Sequence, residues 1–415
     1  MSFIRNKTKI SLSSLLLFLS LLFLSGCGGS GTGGVNSVPT GTLSGVVTDA
    51  NSKAPVAGVT VSLYGSNIGT TTLSNGQFTI PYVPAGSQIV TFRKSGYQTK
   101  SITITVSPSQ NTTLSTSITA YVSAPSWTDL SANAPVKASF SGVSDLNGIL
   151  FFSSNIATAS TLYESLDDGA TITPVAGVTT PGINFLTTTG ALSAWGICGD
   201  GTTLSTQNGG GVWTQGVVGA IAGGGLQSIS FPNQMTGFVA GLNGACATTT
   251  DGGTTWTAIP TGVNMDFYAV AFPSVTNGFL AGNGKVILQT TDGGKTWTST
   301  TVNIPSAIHA ISAPNATHAW AVGNGGAILF YNGIQWTNQN SNTTTDLYAV
   351  SFCDDNNGWA VGDDGMILHT TDGGVTWLRE APNMTVYPLR GVLAVSPTEA
   401  WAVGLYGAIL HYTAP

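Results

Sequence analysis

Three short runs within residues 347–377 set the pattern for most of the chain. They are Leu347-Tyr-Ala-Val-Ser-Phe352, Gly358-Trp-Ala-Val-Gly362 and Met366-Ile-Leu-His-Thr-Thr-Asp-Gly-Gly-Val-Thr-Trp377. Each is apolar and β-branched or aromatic, and Asp, Asn and Gly separate them, which is how short strands and tight turns read. The unit recurs. Its closing Trp stands at Trp213, Trp256, Trp297, Trp336 and Trp377, with gaps of 43, 41, 39 and 41 residues. One step earlier, Ser165-Leu-Asp-Asp-Gly-Ala-Thr-Ile172 is the same motif with Ile in place of Trp, and Trp127-Thr128 lies one step before that. The last unit, Ala400-Trp-Ala-Val-Gly-Leu-Tyr-Gly-Ala-Ile-Leu-His-Tyr412, stops before its own Trp. A lone outer strand at Trp127 and three inner strands at the other end complete one unit when joined. The expectation is an all-β chain whose residues 121–415 form a seven-bladed β-propeller closed by the strand at Trp127.

Composition agrees. Only 7% of the 415 residues are charged, 42% are apolar and 54 are Gly. That apolar share excludes ordinary disorder, and a sequence pI near 5.0 argues against a nucleic-acid partner. The Thr-x-Asp-Gly-Gly-x-Thr-Trp turn has a mechanical reading: Asp accepts turn amides, Gly takes positive φ and Trp packs between blades. This is the Asp-box seen in sialidases and related propellers, and its structural positions here are Asp167, Asn208, Asp251, Asp292 and Asp372.

The leader reads as an address. Arg5, Lys7 and Lys9 precede an apolar run, Ser11 to Leu24, of signal-sequence length. Leu24-Ser25-Gly26-Cys27 resembles the bacterial lipobox, which implies removal of residues 1–26, lipidation at Cys27 and a membrane anchor. Residues 27–40 then read as a flexible Gly/Ser tether. The expected location is extracytoplasmic and anchored to the cell envelope. Gly28 after Cys27 favours the outer membrane where the cell has one.

Residues 41–120 alternate apolar and polar positions in short runs. Gly45-Val46-Val47-Thr48-Asp49, Pro55-Val56-Ala57-Gly58-Val59, Val83-Pro84-Ala85-Gly86 and Lys94-Ser95-Gly96-Tyr97 resemble the carboxypeptidase regulatory-like domain. That resemblance implies a transthyretin-like, seven-stranded β-sandwich with no catalytic residues. Asn75-Gly76 is expected to turn a hairpin, Thr72 to Ile80, and Asp49 to cap a turn.

The chemistry-bearing residues are few. The propeller has Arg379 and Arg390 alone among arginines, too few for the triple-Arg carboxylate clamp of a sialidase. Asp266, Asp346, Asp363 and Asp364 offer carboxylates to a glycosidase, but they sit in turns. His309, His318, His369 and His411 lack metal-site spacing, and Cys198, Cys246 and Cys353 form no CxxC pair. Cys198 and Cys246 lie in adjacent repeats, and whether they pair stays open. No enzyme activity, cofactor or metal is expected.

Trp-Ala-Val-Gly at 320–323, 359–362 and 401–404, the strand starts of Leu-Tyr-Ala-Val type and the Asp-Gly-Gly-x-Thr-Trp ends make the propeller similar to the photosystem II stability/assembly-factor-like family. The resemblance implies a scaffold for assembly of membrane proteins. Members of that family share a basic patch, whereas this propeller holds 5 basic against 17 acidic residues. The partner expected here is therefore an unidentified envelope protein or a glycan, and a carbohydrate-active propeller is the alternative. Counting back eleven residues from the Trp or Phe of each second strand gives Asn184, Gln227, Tyr268, His309, Tyr348 and Arg390. Inner strands line a propeller's channel, so these six should ring one mouth and form the candidate partner-binding surface.

Overall fold

The computed structural model describes residues 38–94, 96–120, 125–135, 138–154, 161–221, 225–382 and 384–414. Cys27 and the leader lie outside them. From Pro39 onward the chain is one compact unit. Among the described residues its elements are short β-strands with five single-turn 3-10 segments.

Seven four-stranded antiparallel sheets make up the propeller among the described residues. Their inner strands are Gly142–Leu146, Ile183–Thr189, Leu226–Ser230, Phe267–Ala271, Ile308–Ser312, Leu347–Phe352 and Leu389–Ser396. Each touches the next, and the last touches the first, so the ring is closed. In the seventh sheet Ile409–Thr413 pairs with Ser126–Asp129, placing Tyr412 opposite Trp127.

The second strands explain the Trp-Ala-Val-Gly motif. In Ala319–Gly323 and Gly358–Gly362 every residue is buried, because neighbouring blades cover both faces. The aromatic position bridges blades: Trp320 stacks on Phe352 at 3.6 Å and Trp195 on Phe231 at 3.9 Å. The motif glycine answers a close approach. A Cβ at Gly362 would lie 2.0 Å from the Asp346 carbonyl oxygen, and one at Gly323 2.0 Å from that of Ala307.

The sandwich has two four-stranded sheets. One carries Gln77–Pro84, Thr40–Asp49 and Asn111–Thr113, with Thr116–Ile118 also on the long strand; the other runs Gly69–Thr71, Thr60–Leu63, Gly86–Arg93, Lys100–Val106. Leu43, Val47, Val61, Phe78, Ile80, Val90 and Phe92 fill the space between. Eight strands are present among the described residues, one more than expected. The long strand pairs in parallel with two short ones, and the break between them puts the Leu114 carbonyl 1.8 Å from where a Cβ of residue 45 would be, so Gly45 is required. The hairpin expected at Asn75-Gly76 is not one. Gly69–Thr71 and Gln77–Pro84 belong to different sheets, and the turn, with Gly76 at φ 74°, arches across the core. Thr72 directs it, accepting from Val59 N and donating to the Val56 carbonyl rather than pairing across a hairpin. Asp49 caps its turn, accepting from the Asn51 and Ser52 amides at 2.9 and 2.6 Å.

Candidate functional site: the propeller mouth

All six ring residues, Asn184, Gln227, Tyr268, His309, Tyr348 and Arg390, line one central cavity of about 720 Å³. Their side chains reach it through a device that the repeat pattern did not reveal. In each of these six blades the ladder between first and second strands slips by one residue, between Ile183 and Phe185, Leu226 and Ser228, Phe267 and Ala269, Ile308 and Ala310, Leu347 and Ala349, and Leu389 and Gly391. The skipped residue is the ring residue every time. A β-bulge leaves one residue unpaired and re-aims its side chain, so each blade presents one side chain at the mouth.

The first blade has no such slip between its inner strands. Its mouth residue is Ser141, which also lines the cavity. Ser141 Oγ donates to the Ile183 carbonyl at 2.6 Å, just as Asn184 Nδ2 donates to Leu226 at 2.8 Å, each bonding 42 residues ahead. Counting eleven back missed it, because this blade's hairpin is one residue shorter: Ser144 pairs with Phe151, seven residues on, where Ser351 pairs with Trp359, eight on.

The ring has two halves. Ser141, Asn184 and Gln227 carry hydroxyl and amide groups. Tyr268, His309, Tyr348 and Arg390 form a continuous row of contacts: Tyr268 stacks on His309 at 5.9 Å and 19°, His309 meets Tyr348 at 5.2 Å with the rings tilted by 52°, and the Arg390 guanidinium covers Tyr348 at 3.7 Å. Burial pushes the His309 pKa below its ordinary value, against the pull of Asp346, so the imidazole is neutral near pH 7. Burial and a 2.7 Å hydrogen bond to Asp363 push Tyr348 upward, so its phenol stays protonated.

The turn carboxylates stand outside. No Asp or Glu lines the cavity among the described residues. Asp346 accepts from Asn324 Nδ2 and the Gly325 amide at 2.8 and 2.7 Å, and Asp266 accepts from the Asn243 amide at 2.9 Å. Asp364 holds the left-handed position of its turn at φ 53°, where two other blades have Asn243 and Gly325. The seventh blade places Tyr406 there instead, at φ 56°. A bulky residue with positive φ is strained. Tyr406 is nonetheless 72% exposed, with Tyr387 against it at 4.8 Å and Leu405 lining the cavity. The Tyr406 amide donates to Ser139 Oγ at 3.0 Å, so this pair lies where the seventh blade meets the first, and the repeat motif gave no sign of it.

The Asp-box residues do not touch the cavity. Asp251 Oδ1 accepts from the Thr255 amide and the Thr249 hydroxyl at 2.9 and 2.7 Å, and Thr249 Oγ1 in turn accepts from Gly253 N. The same bonds recur at Asp167, Asn208, Asp292 and Asp372. His369 and His411 stack on Trp359 and Trp401 at 4.2 and 3.7 Å. Cys198 and Cys246 are free thiols in separate apolar clusters. Among the described residues no group of three or more His, Cys, Asp or Glu is placed to hold a metal ion.

Residues 43–122 match the family described as CarboxypepD_reg-like domain, and residues 225–332 and 331–414 match Photosynthesis system II assembly factor YCF48. Two solved structures share the fold. YCF48 from Cyanidioschyzon merolae is 19% identical with a TM-score of 0.57, covering 69% of this chain and 98% of its own. YCF48 bound to D1 peptide is 19% identical with a TM-score of 0.58, covering 71% and 96%. No curated protein matches the chain in sequence. Residues 225–414 are thus similar to the photosystem II assembly factor family and residues 43–122 to the carboxypeptidase regulatory-like domain, and the propeller shares its fold with the two solved structures.

Proposed function

We propose that the chain is a lipid-anchored envelope protein whose propeller binds an extended segment of a partner protein at its mouth, without catalytic turnover. The observation that carries this reading is the convergence of one side chain per blade on a single cavity, half of it an aromatic row open to a ligand. Apolar and aromatic lining with a few placed polar groups is what peptide-sized ligands bind. The similar structure of YCF48 bound to D1 peptide supports a peptide-binding use of this fold. The partner differs in kind, since the propeller is acidic, with 17 carboxylates against 5 basic residues.

The test is affinity capture with crosslinking from the native envelope, comparing the unaltered chain with a Tyr268→Ala/Tyr348→Ala/Arg390→Ala variant. The variant should lose the partner while staying folded. Retention of every captured protein would refute the reading, as would glycan binding with hydrolysis abolished by one Asp substitution. The anchor is tested separately: Cys27→Ser should move the protein from the membrane to the soluble fraction.

A further inference from the structure

The ring has a seam. Its seventh sheet joins two pieces of chain almost 260 residues apart in sequence, and its outer strand, Ser126–Asp129, has four residues. A short strand next to an interdomain linker is where a sheet opens first.

The sandwich grips this region. Tyr64 Oη donates to Glu164 Oε2 at 2.7 Å, the Thr99 amide to Asp168 Oδ2 at 2.5 Å, and Ser101 Oγ to the Leu166 carbonyl at 2.6 Å. These three links end on the first blade. Arg93, at the end of sandwich strand Gly86–Arg93, does something different. Its Nη1 pairs with Asp145 on the first blade's inner strand, and its Nη2 lies 3.7 Å from Glu399 at the start of the seventh blade's second strand. One guanidinium thus holds a carboxylate on each side of the seam. Glu399 Oε1 lies 3.6 Å from His411 Nε2, and His411 faces Thr128 in the closing ladder. The chain of contacts therefore runs from sandwich to closing strand. Arg93, Asp145 and Glu399 are 22, 13 and 15% exposed at their side chains, so water screens them little. Room for Arg93 comes from Gly148, where a Cβ would sit 2.9 Å from Arg93 Cδ.

We infer that the sandwich is a clasp: it locks the propeller's ring closure, with Arg93 as the staple across the seam. A sandwich that served only as a spacer would need the contacts to one blade and no bridge to the other.

Hydrogen exchange by mass spectrometry on the full chain tests this, comparing the unaltered protein with Arg93→Met, Glu399→Gln and Tyr64→Phe. Arg93→Met should raise exchange at least tenfold in peptides covering 126–129 and 409–413 and leave 278–282 and 319–323 unchanged. Glu399→Gln keeps the first-blade links and should show the same pattern, so the test survives if Arg93→Met does not fold. Tyr64→Phe loses a link to the first blade alone and should leave the closing strand protected. Unchanged exchange at the closing strand in Glu399→Gln would overturn the clasp. So would a uniform rise over all blades, or a Tyr64→Phe effect equal to that of Glu399→Gln.

Discussion

Trp127→Ala is the sharpest test of how the ring is held. Trp127 is 7% exposed and belongs to the apolar cluster of the seventh blade with Trp359, Leu410 and Tyr412. Its ring lies 5.5 Å from that of Tyr412, and its Nε1 donates to Glu380 Oε2 at 2.7 Å. Truncating a buried Trp to Ala costs about 3–5 kcal/mol, from lost transfer energy plus the cavity left behind. Trp127→Phe separates the contributions. It keeps a ring in the cluster and removes the N–H together with part of the indole's bulk, while Glu380 retains its 2.7 Å contact with His369 Nδ1. That loss should cost about 1–2 kcal/mol. Urea unfolding followed by circular dichroism reads both, as a fall in midpoint at constant slope. A Trp127→Ala change below about 0.5 kcal/mol, the range of surface substitutions, would show that this strand does not close the ring in solution.

Three further outcomes follow from the geometry. Thr370→Val strands the buried Gly374 amide, now bonded to Thr370 Oγ1 at 2.8 Å, and should cost about 1–3 kcal/mol by denaturation; Thr376→Val, whose hydroxyl is exposed, should cost less. Thr255 and Thr296 hold Asp251 and Asp292 down to about 2 in the folded chain, against an ordinary 3.8. Their stabilisation is present above the ordinary value and lost as pH falls through about 2, while Asp145 and Asp168, raised by burial, shift the balance the opposite way. Circular dichroism against pH should keep its strand signal at pH 4, and unfolding above that pH would contradict the sign. Cys198 and Cys246, with thiols pushed up to about 11 and about 12 by burial, should stay free in an oxidising buffer; a mass two hydrogens lighter, restored by reductant, would refute this.

Much of the site was legible because a propeller repeats its geometry with its sequence. Once Trp195, Phe238, Phe279, Trp320, Trp359 and Trp401 mark equivalent positions, any residue at a constant offset marks another, and the offset of eleven reached six mouth residues. Ser141 escaped because the hairpin of its blade is one residue shorter than the offset assumes. The Asn75-Gly76 turn misled because a tight turn fixes local direction only, and the side-chain bonds of Thr72 decide which sheet the chain enters next. Tyr406 was invisible as a strained residue, since φ is a property of the folded turn and not of the residue's name.

The sequence alone determined what periodicity can carry: all-β strands, their number per repeat, the Asp-box turns and the complementary pieces at Trp127 and Tyr412. Those follow from short-range patterning, in which apolar spacing and turn residues dictate local geometry. Tertiary structure alone decided the bulges that turn six side chains into the cavity, the row of contacts through Tyr268, His309, Tyr348 and Arg390, and the reach of Arg93 across the seam. These depend on pairing register and on contacts between residues up to 306 apart, as in Arg93 with Glu399. No local pattern encodes which distant carboxylate a guanidinium will meet once the ring has closed.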